Sequence, residues 1–534
     1  MADEFTPDER AALAPYFTNL DGPVFALVNL PEVVKGALFA RYSRSPKSLR
    51  RLFLDEFLTA GGLASATARG AGAGLDAQAT QRAEKLYERV FVEYGDDSVA
   101  QLGGVHLACE GASNLLTKVL EWGRLMAYLE QSTRYIPYDD QPGGRFRYHV
   151  PAELGGALRD RYVATLDRGF EAYRAWLPKL RAFFEAKFPR DSGESEAVYR
   201  QTIRAKALDT LRGMLPAATT SNVGIYATAQ AYEQLLLRMR SHPLAEARAY
   251  ADLMLVELRK VIPAFLRRVD VDDRGVAWSA YLAETREAAR ETAARLLAGA
   301  AAEARDEVTL TDWDPDGEVK VVAAALYAAS DLPDDQLLAR ARLLTPAQRA
   351  EVLAACVGAR KNRRHKPGRA FERTSYRFDV LGDYGAFRDL QRHRLLTLEW
   401  QRLTPRHGHV MPEAVAEAGA AGDFARVLEE SAALFDALEA AGLPDAASYA
   451  VSMAYRVRFY MEMNAREAMH VIELRTTPQG HPSYRRICQA MHRLIAERAG
   501  HRAIAAAMSF ADHSAVALER LEAERAAEQR RARR

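Results

Sequence analysis

The chain has 534 residues, too many for one hydrophobic core and enough for two or three ordinary domains. Hydrophobic residues at 49% and charged residues at 27% exclude a disordered or fibrous protein. Lys+Arg 73 against Asp+Glu 71 leaves a formal charge of +2, which argues against non-specific binding of a nucleic acid polymer, so any anion site must be local.

Cys109, Cys356 and Cys488 lie far apart without zinc or dithiol spacing, so no metal ligands are assigned and a reducing, cytoplasmic setting fits. The first thirty residues carry Asp3, Glu4, Asp8 and Glu9 rather than a basic-then-apolar leader. No apolar run reaches the length of a membrane span.

In chain order, residues 59–76 are rich in Gly and Ala and read as a flexible loop. From 95 to 135 the pattern predicts a polar turn, then an apolar helix punctuated by Glu110, Ser113 and Asn114, ending at Ser132-Thr133-Arg134-Tyr135 before Pro137. Three- and four-residue apolar spacing predicts helices in 156–188, 229–268 and 279–305. Within the last of these, the Ala/Glu/Arg-rich stretch 284–307 reads as one solvent-facing helix separating two halves. At 307–328 alternating Val, Leu and Trp lead through Asp-Pro-Asp-Gly into a second β-branched run or a helix start, which marks a new domain. The end, 517–534, reads as a frayed, solvated helix former. The resulting division is a first domain 1–270, a helical spacer 271–306, a second domain 307–512 and a charged C-terminal helix or tail 513–534.

Two constellations carry chemistry. Ser132, Arg134 and Tyr135 sit at an element end, where hydroxyls and a guanidinium suit phosphate or uracil. The bland alternative is that Ser132 caps a turn and Arg134 pairs with a surface carboxylate. Arg392-His393-Arg394 suits an anionic cofactor, or else forms a solvated basic helix face. Asn464-Ala465-Arg466, on a stretch read as strongly helical, is followed by His470 and Arg475 on one broad face.

The first constellation resembles the flavin-dependent thymidylate synthases, whose pattern runs from a G-H-E-S-V-x-E-H turn through E-G-x-S and R-H-R to Q-S-x-R-Y. This chain keeps Gly95, Ser98, Val99, Glu110-Gly111, Ser113, Gln131-Ser132, Arg134 and Tyr135, but has Trp122-Gly123-Arg124 in place of the triplet. Arg212 matches the family's R-x-x-L-P, and Arg238 falls near a second nucleotide arginine. The second half is similar to the same family in the opposite respect: it keeps Arg392-His393-Arg394 and the Asn464, Arg466, His470, Arg475 spacing, and has Ser448 and Ser452 near the R-x-x-L-P positions.

The resemblance implies an α+β fold of two tandem, diverged domains, each a small sheet flanked by long helices, predominantly helical overall. It implies reductive methylation of dUMP to dTMP through FAD, with NADPH and 5,10-methylenetetrahydrofolate as co-substrates. FAD would be held by Arg392, His393, Arg394, Asn464, Arg466, His470 and Ser98. The nucleotide would be held by Ser132, Arg134, Tyr135, Arg212, Arg238 and Arg475, with Arg475 and Ser132 nearest the chemistry. Since family members are homotetramers with shared sites, a homodimer acting as a pseudo-tetramer follows, with half the usual number of complete sites. The alternatives are a related flavoenzyme acting on another pyrimidine or acceptor, a non-catalytic flavin- or nucleotide-binding paralogue, and a purely structural helical protein.

Overall fold

A computed structural model of the chain describes residues 5–23, 25–42, 45, 47–58 and 101–532. Ser98 and the Gly/Ala-rich stretch 59–76 lie outside the described residues. Among those described, helices dominate and seven strands form two small sheets. No described helix is long and apolar enough to cross a membrane.

One order of elements runs twice. The first pass is β1 (Gly104–Ser113), helix Asn114–Leu120, β2 (Met126–Glu130), long helices Gly156–Lys187 and Glu196–Leu211, a 3-10 turn at Arg212–Met214, β3 (Thr220–Thr228) and helix Ala229–Arg240. After β4 (Val308–Trp313) the second pass is β5 (Ser375–Asp383), helix Tyr384–Leu390, β6 (Thr397–Trp400), helix Ala421–Ala440, a 3-10 turn at Ser448–Ala450, β7 (Arg456–Asn464) and helix Ala465–Arg475. The sheets have orders β1-β3-β2 and β4-β5-β7-β6, so the last strand of each pass lies between the first two. In the second sheet every pairing is antiparallel, with Ser375 opposite Asn464 and Thr397 opposite Glu462.

Three strands fall in stretches read as helix: β1 and β2, both within 95–135, and β7. In β7, Val457, Phe459, Met461 and Met463 are buried and alternate with half-buried Arg456, Arg458, Tyr460 and Glu462; this period of two outweighs the helix propensity of Met and Glu. Asn464 therefore precedes the helix instead of lying on it, and its side chain accepts from the Glu467 amide at 2.9 Å as the N-cap. In β1, Val105 and Cys109 turn inward, and Gly111 adopts a φ of 69°, a left-handed conformation in which its N–H meets Asn222 Oδ1 at 2.9 Å. Ser113 caps the helix that follows, as Asp383 caps its counterpart.

Two further expectations need correction. The spacer helix runs only over Ala277–Leu296, all of it exposed or half-buried, and 297–306 is not helical: Gly299 (φ 79°) and the alanines around it make too few contacts to hold a further turn. The C-terminal end is not a free tail, because buried Glu519 accepts from Lys206 at 2.5 Å and Arg525 from helix Leu521–Ala532 donates to Glu194 at 3.1 Å. At 314–317 the turn opens into helix Gly317–Tyr327, the second of the two continuations expected there.

The chain forms two compact units. The first comprises 1–110, 125–129 and 223–300, and the second 111–124, 130–222 and 301–534. The second unit thus draws on both passes. Within it, Arg168 pairs with Glu430 and Trp176 donates to Asp423, joining helices Gly156–Lys187 and Ala421–Ala440. The two 3-10 turns also meet: Pro216 bridges Ser452, Ala217 N–H donates to Val451, and Met453 N–H donates to Leu215. The R-x-x-L-P segment and its diverged counterpart therefore pair with each other in the middle of the unit.

Candidate functional site

In the second unit two arginines, one from each pass, pair with one carboxylate, and two more act on its charge. Asp389 ends helix Tyr384–Leu390, with Arg212 at 3.4 Å and Arg392 at 3.9 Å. Burial alone would raise its pKa. Arg392, Arg212, Arg475 and Arg134 outweigh that penalty and hold the carboxylate well below its usual range. Arg134, in the turn after β2, is bound by Asp209 through contacts of 2.8, 2.9 and 2.6 Å, and also donates to Tyr484 Oη at 3.2 Å and Gln479 O at 3.3 Å. Ser132 Oγ accepts from the Arg134 amide at 3.3 Å.

Behind this cluster lies Glu130, fully buried at the end of β2. It accepts from Arg388 at 2.9 Å, Arg392 at 2.7 Å and Lys118 at 3.3 Å, while Lys118 also bonds Glu121 at 2.5 Å. Burial raises the Glu121 pKa, whereas at Glu130 the cations Lys118, Arg388 and Arg392 overcome burial and keep the carboxylate ionised. Lys118, Arg134, Arg212, Arg388, Arg392 and Arg475 thus face Glu121, Glu130, Asp209 and Asp389, an excess of positive charge. Arg212 Nη2 and Arg392 Nε are buried without a hydrogen-bond partner. Orphan donors amid surplus cations suit an anionic ligand.

The flavin-side residues adjoin through Arg475, whose Nε donates to His393 Nε2 at 2.9 Å and whose guanidinium lies 5.4 Å from the Tyr484 ring centre. His393 Nδ1 stands 3.7 Å from Glu467, and its ring meets that of His470 edge-on at 5.5 Å. Burial, followed by Arg475, lowers the His393 pKa well below the ordinary value, and burial with Lys366 and Arg363 lowers that of His470 to about 4. Burial pushes Glu467 up to about 7 despite Lys366, Arg466 and Arg394. The ligand atoms of His393, Glu467 and His470 lie within 4.8 Å of one another, but the surrounding cations oppose a metal ion, and burial favours a protonated carboxyl against their pull.

The remaining expected residues fall as follows. Arg466 donates to Pro367 O at 2.9 Å, and Arg394 is exposed. Tyr135 is exposed beneath the guanidinium of Arg520, 4.1 Å from its ring centre. Arg238 belongs to the first unit, where burial lowers its pKa beside Tyr128. Counted from the caps, Met239 and not Arg238 stands where Arg475 stands in the second pass, and one residue turns a helix position by about 100°. Trp122 and Arg124, at the place of the missing triplet, bond Leu398 O at 3.2 Å and Thr397 at 3.1 Å. Sequence reasoning missed Asp209, Glu130, Lys118, Tyr484, His481 and Glu467, since none stands in a motif. For Lys118, Asp209 and Glu467 a polar residue inside an apolar helix face was the signal present, whereas Glu130 ends a strand and His481 caps a helix. His481, pulled down to about 3 by burial and then Arg212, caps helix Pro482–Glu497 beside the cluster.

The family model described as thymidylate synthase complementing protein matches residues 59–264 and 309–499, one match for each pass and together well over half of the chain. The chain belongs to that family. The two matches to the thymidylate synthase complementing protein family are consistent with the mixed helix-and-sheet fold of tandem domains that the sequence motifs implied. A UPF0159 protein of Chlamydia muridarum (strain MoPn / Nigg) is 37% identical over 526 residues, 98% of each chain. A flavin-dependent thymidylate synthase of Mycobacterium sp. (strain JLS) is 30% identical over 182 residues, 33% of this chain and 67% of that protein. A solved structure described as a UMP/dUMP methylase PolB from Streptomyces cacaoi bound with 5-Br dUMP is 19% identical with a TM-score of 0.30, covering 37% of this chain and 94% of that one.

Proposed function

We propose that this chain catalyses the reductive methylation of dUMP to dTMP, with FAD, NADPH and 5,10-methylenetetrahydrofolate. The observation that carries the reading is that Arg212 from one pass and Arg392 from the other both pair with Asp389, with the charges of Arg134 and Arg475 also acting on it. Such a cluster, with orphan donors on Arg212 and Arg392, fits a nucleotide phosphate and a pyrimidine that develops negative charge. Both ligand sets then meet within one chain, and two chains form a dimer equivalent to the family's four domains.

In this reading Arg212, Arg134 and Ser132 bind the nucleotide, and Arg475 stabilises charge on the uracil as C5 loses its proton and takes up the one-carbon unit. Arg392, Arg394, Arg466, His393 and His470 hold the flavin, with Asn464 capping the helix that presents Arg466 and His470. Flavin, when bound, supplies the hydride drawn from NADPH that converts the transferred methylene into methyl, leaving tetrahydrofolate. Arg475 donates to His393 Nε2 and so leaves the ring proton on Nδ1, the nitrogen 3.7 Å from Glu467, whose pKa near 7 lets it keep or release a proton there.

The test is the visible spectrum of purified protein, followed by tritium release from C5-labelled dUMP with NADPH and methylenetetrahydrofolate. A flavin spectrum with tritium release supports the reading. Bound flavin without release from dUMP, but with flavin oxidation by another pyrimidine, replaces dUMP by that acceptor. Colourless protein that takes up no FAD refutes the enzyme.

A further inference from the structure

A second concavity lies along the exposed face of helix Glu196–Leu211. It has a volume of 240 Å³ and is lined by Arg134, Tyr135, Arg200, Gln201 and Arg204, with Leu208 on its apolar side. Arg200 and Arg204 are one turn apart and so share a helix face. Arg200 pairs only with Glu196 on its own helix, where both side chains are exposed and the pair is weak. Arg204 is exposed and has no ion pair or hydrogen bond among the described residues. Arg134 is almost fully buried, and its contacts to Asp209, Tyr484 and Gln479 leave one of its five N–H groups unassigned.

The C-terminal segment adds to this wall. Arg520 stacks on Tyr135 and donates to its hydroxyl, and the segment is held there by the Lys206 to Glu519 bond. A fourth guanidinium therefore stands behind the aromatic ring, one residue from the anchoring carboxylate. Asp209 compensates Arg134, Glu196 the exposed Arg200 and Glu524 Arg520 at 3.2 Å, so Arg204 stands as surplus charge on the concave surface beside a weakly paired Arg200, a combination that an entering anion would relieve.

We propose that this concavity is a second anion site that binds an oligophosphate, either free or carried by a nucleoside. Guanidinium forks one turn apart match adjacent phosphates in bidentate fashion, which a single carboxylate ligand would not exploit. The volume suits phosphate groups with whatever bears them remaining at the mouth, against Tyr135. Anion binding here does not depend on the thymidylate reading. Its consequence does: Arg134 is shared with the proposed dUMP site, so each ligand alters the other's affinity by the same factor.

Calorimetric titration of the full chain, without flavin or dUMP, tests the site with tripolyphosphate, dTTP and thymidine. Tripolyphosphate and dTTP should saturate and thymidine should not. Tighter binding of dTTP than of tripolyphosphate identifies a nucleotide as the source, and equal affinity identifies the phosphate chain. The double variant R200Q/R204Q, both positions exposed, should weaken binding at least about tenfold with an unchanged Tm. Its dUMP affinity should stay within about twofold, since neither residue touches the first cluster. Absence of saturable phosphate binding to the wild type, or full retention of it in the double variant, overturns the proposal. Binding that persists while tritium release from dUMP fails would leave this site standing and remove the thymidylate reading alone.

Discussion

Arg212 of the first pass and Asp389 of the second, 177 residues apart, meet across 3.4 Å in the interior of one compact unit. Neither repeat contains the whole cluster. Arg212 is carried by the 3-10 turn that pairs with its diverged counterpart around Ser448–Ser452, and Asp389 by the short helix after β5. Sharing the cluster in this way lets each copy lose motif residues without emptying the site.

Acid should unfold this protein through these carboxylates. Asp389, Glu130 and Asp209 all have depressed folded-state pKa values, so the stability they contribute is present above the ordinary carboxylate range, about pH 4. It is lost as the pH falls further, through the folded values. Asp389→Asn should cost about 3 kcal/mol at pH 7, because buried arginines lose their counter-charge. Urea denaturation should show that gap closing in acid; a gap of constant size at pH 7 and pH 3 would contradict it.

Glu467 works in the opposite sense. Its folded pKa near 7 lies above the unfolded value of about 4.3, so the folded state holds the extra proton and stability declines as pH rises from about 4 to 7. Glu467→Gln mimics the protonated form. Its stability should match the wild type near pH 4 and exceed it by up to about 3 kcal/mol at pH 8. A variant less stable than the wild type at pH 8 would mean that the ionised carboxylate is needed.

Arg394 and Arg392 should separate binding from folding. Arg394 is exposed, so Arg394→Ala should change stability by less than about 0.5 kcal/mol while weakening FAD uptake about tenfold. Arg392 is bonded to Glu130 at 2.7 Å, and Arg392→Ala should lose both flavin and about 2 kcal/mol of stability. Fluorescence titration with FAD alongside thermal melts checks the pair. Undiminished flavin binding by Arg394→Ala would remove that residue from the cofactor site.

The C-terminal segment should detach locally. Lys206→Ala leaves buried Glu519 without its 2.5 Å partner, an unpaired buried charge costing about 2 kcal/mol. Trypsin should then cut within 520–532 faster, with the main melting transition in place. Cleavage at the wild-type rate would show that Arg525 and Glu194 suffice to anchor it.

Much of the candidate site was legible because some residue types have few uses at fixed spacing. Arg392-His393-Arg394, the Asn464 to Arg475 interval and Ser132-Thr133-Arg134-Tyr135 could be read directly, and so could the long helices, whose apolar periods repeat over many turns. Short elements misled. Nine- and ten-residue strands rich in Met, Glu, Ala and Gly resemble helix locally, and only pairing within a sheet makes their alternation decisive. The reading of Arg134 was half met on each side: it does pair with a carboxylate, yet that carboxylate is the buried Asp209.

The sequence by itself determined that a family pattern recurs twice along the chain, with its residues unevenly divided, because those signals are local. Tertiary structure alone decided that Arg212 and Arg392 share Asp389 while Arg134 takes Asp209 and Arg475 meets His393, that Glu130 anchors two of the second pass's arginines, and that residue 520 covers Tyr135. These relationships join residues tens to hundreds of positions apart. They arise from burial and charge compensation after the two passes pack together, and no spacing along the chain encodes which buried acid will meet which arginine.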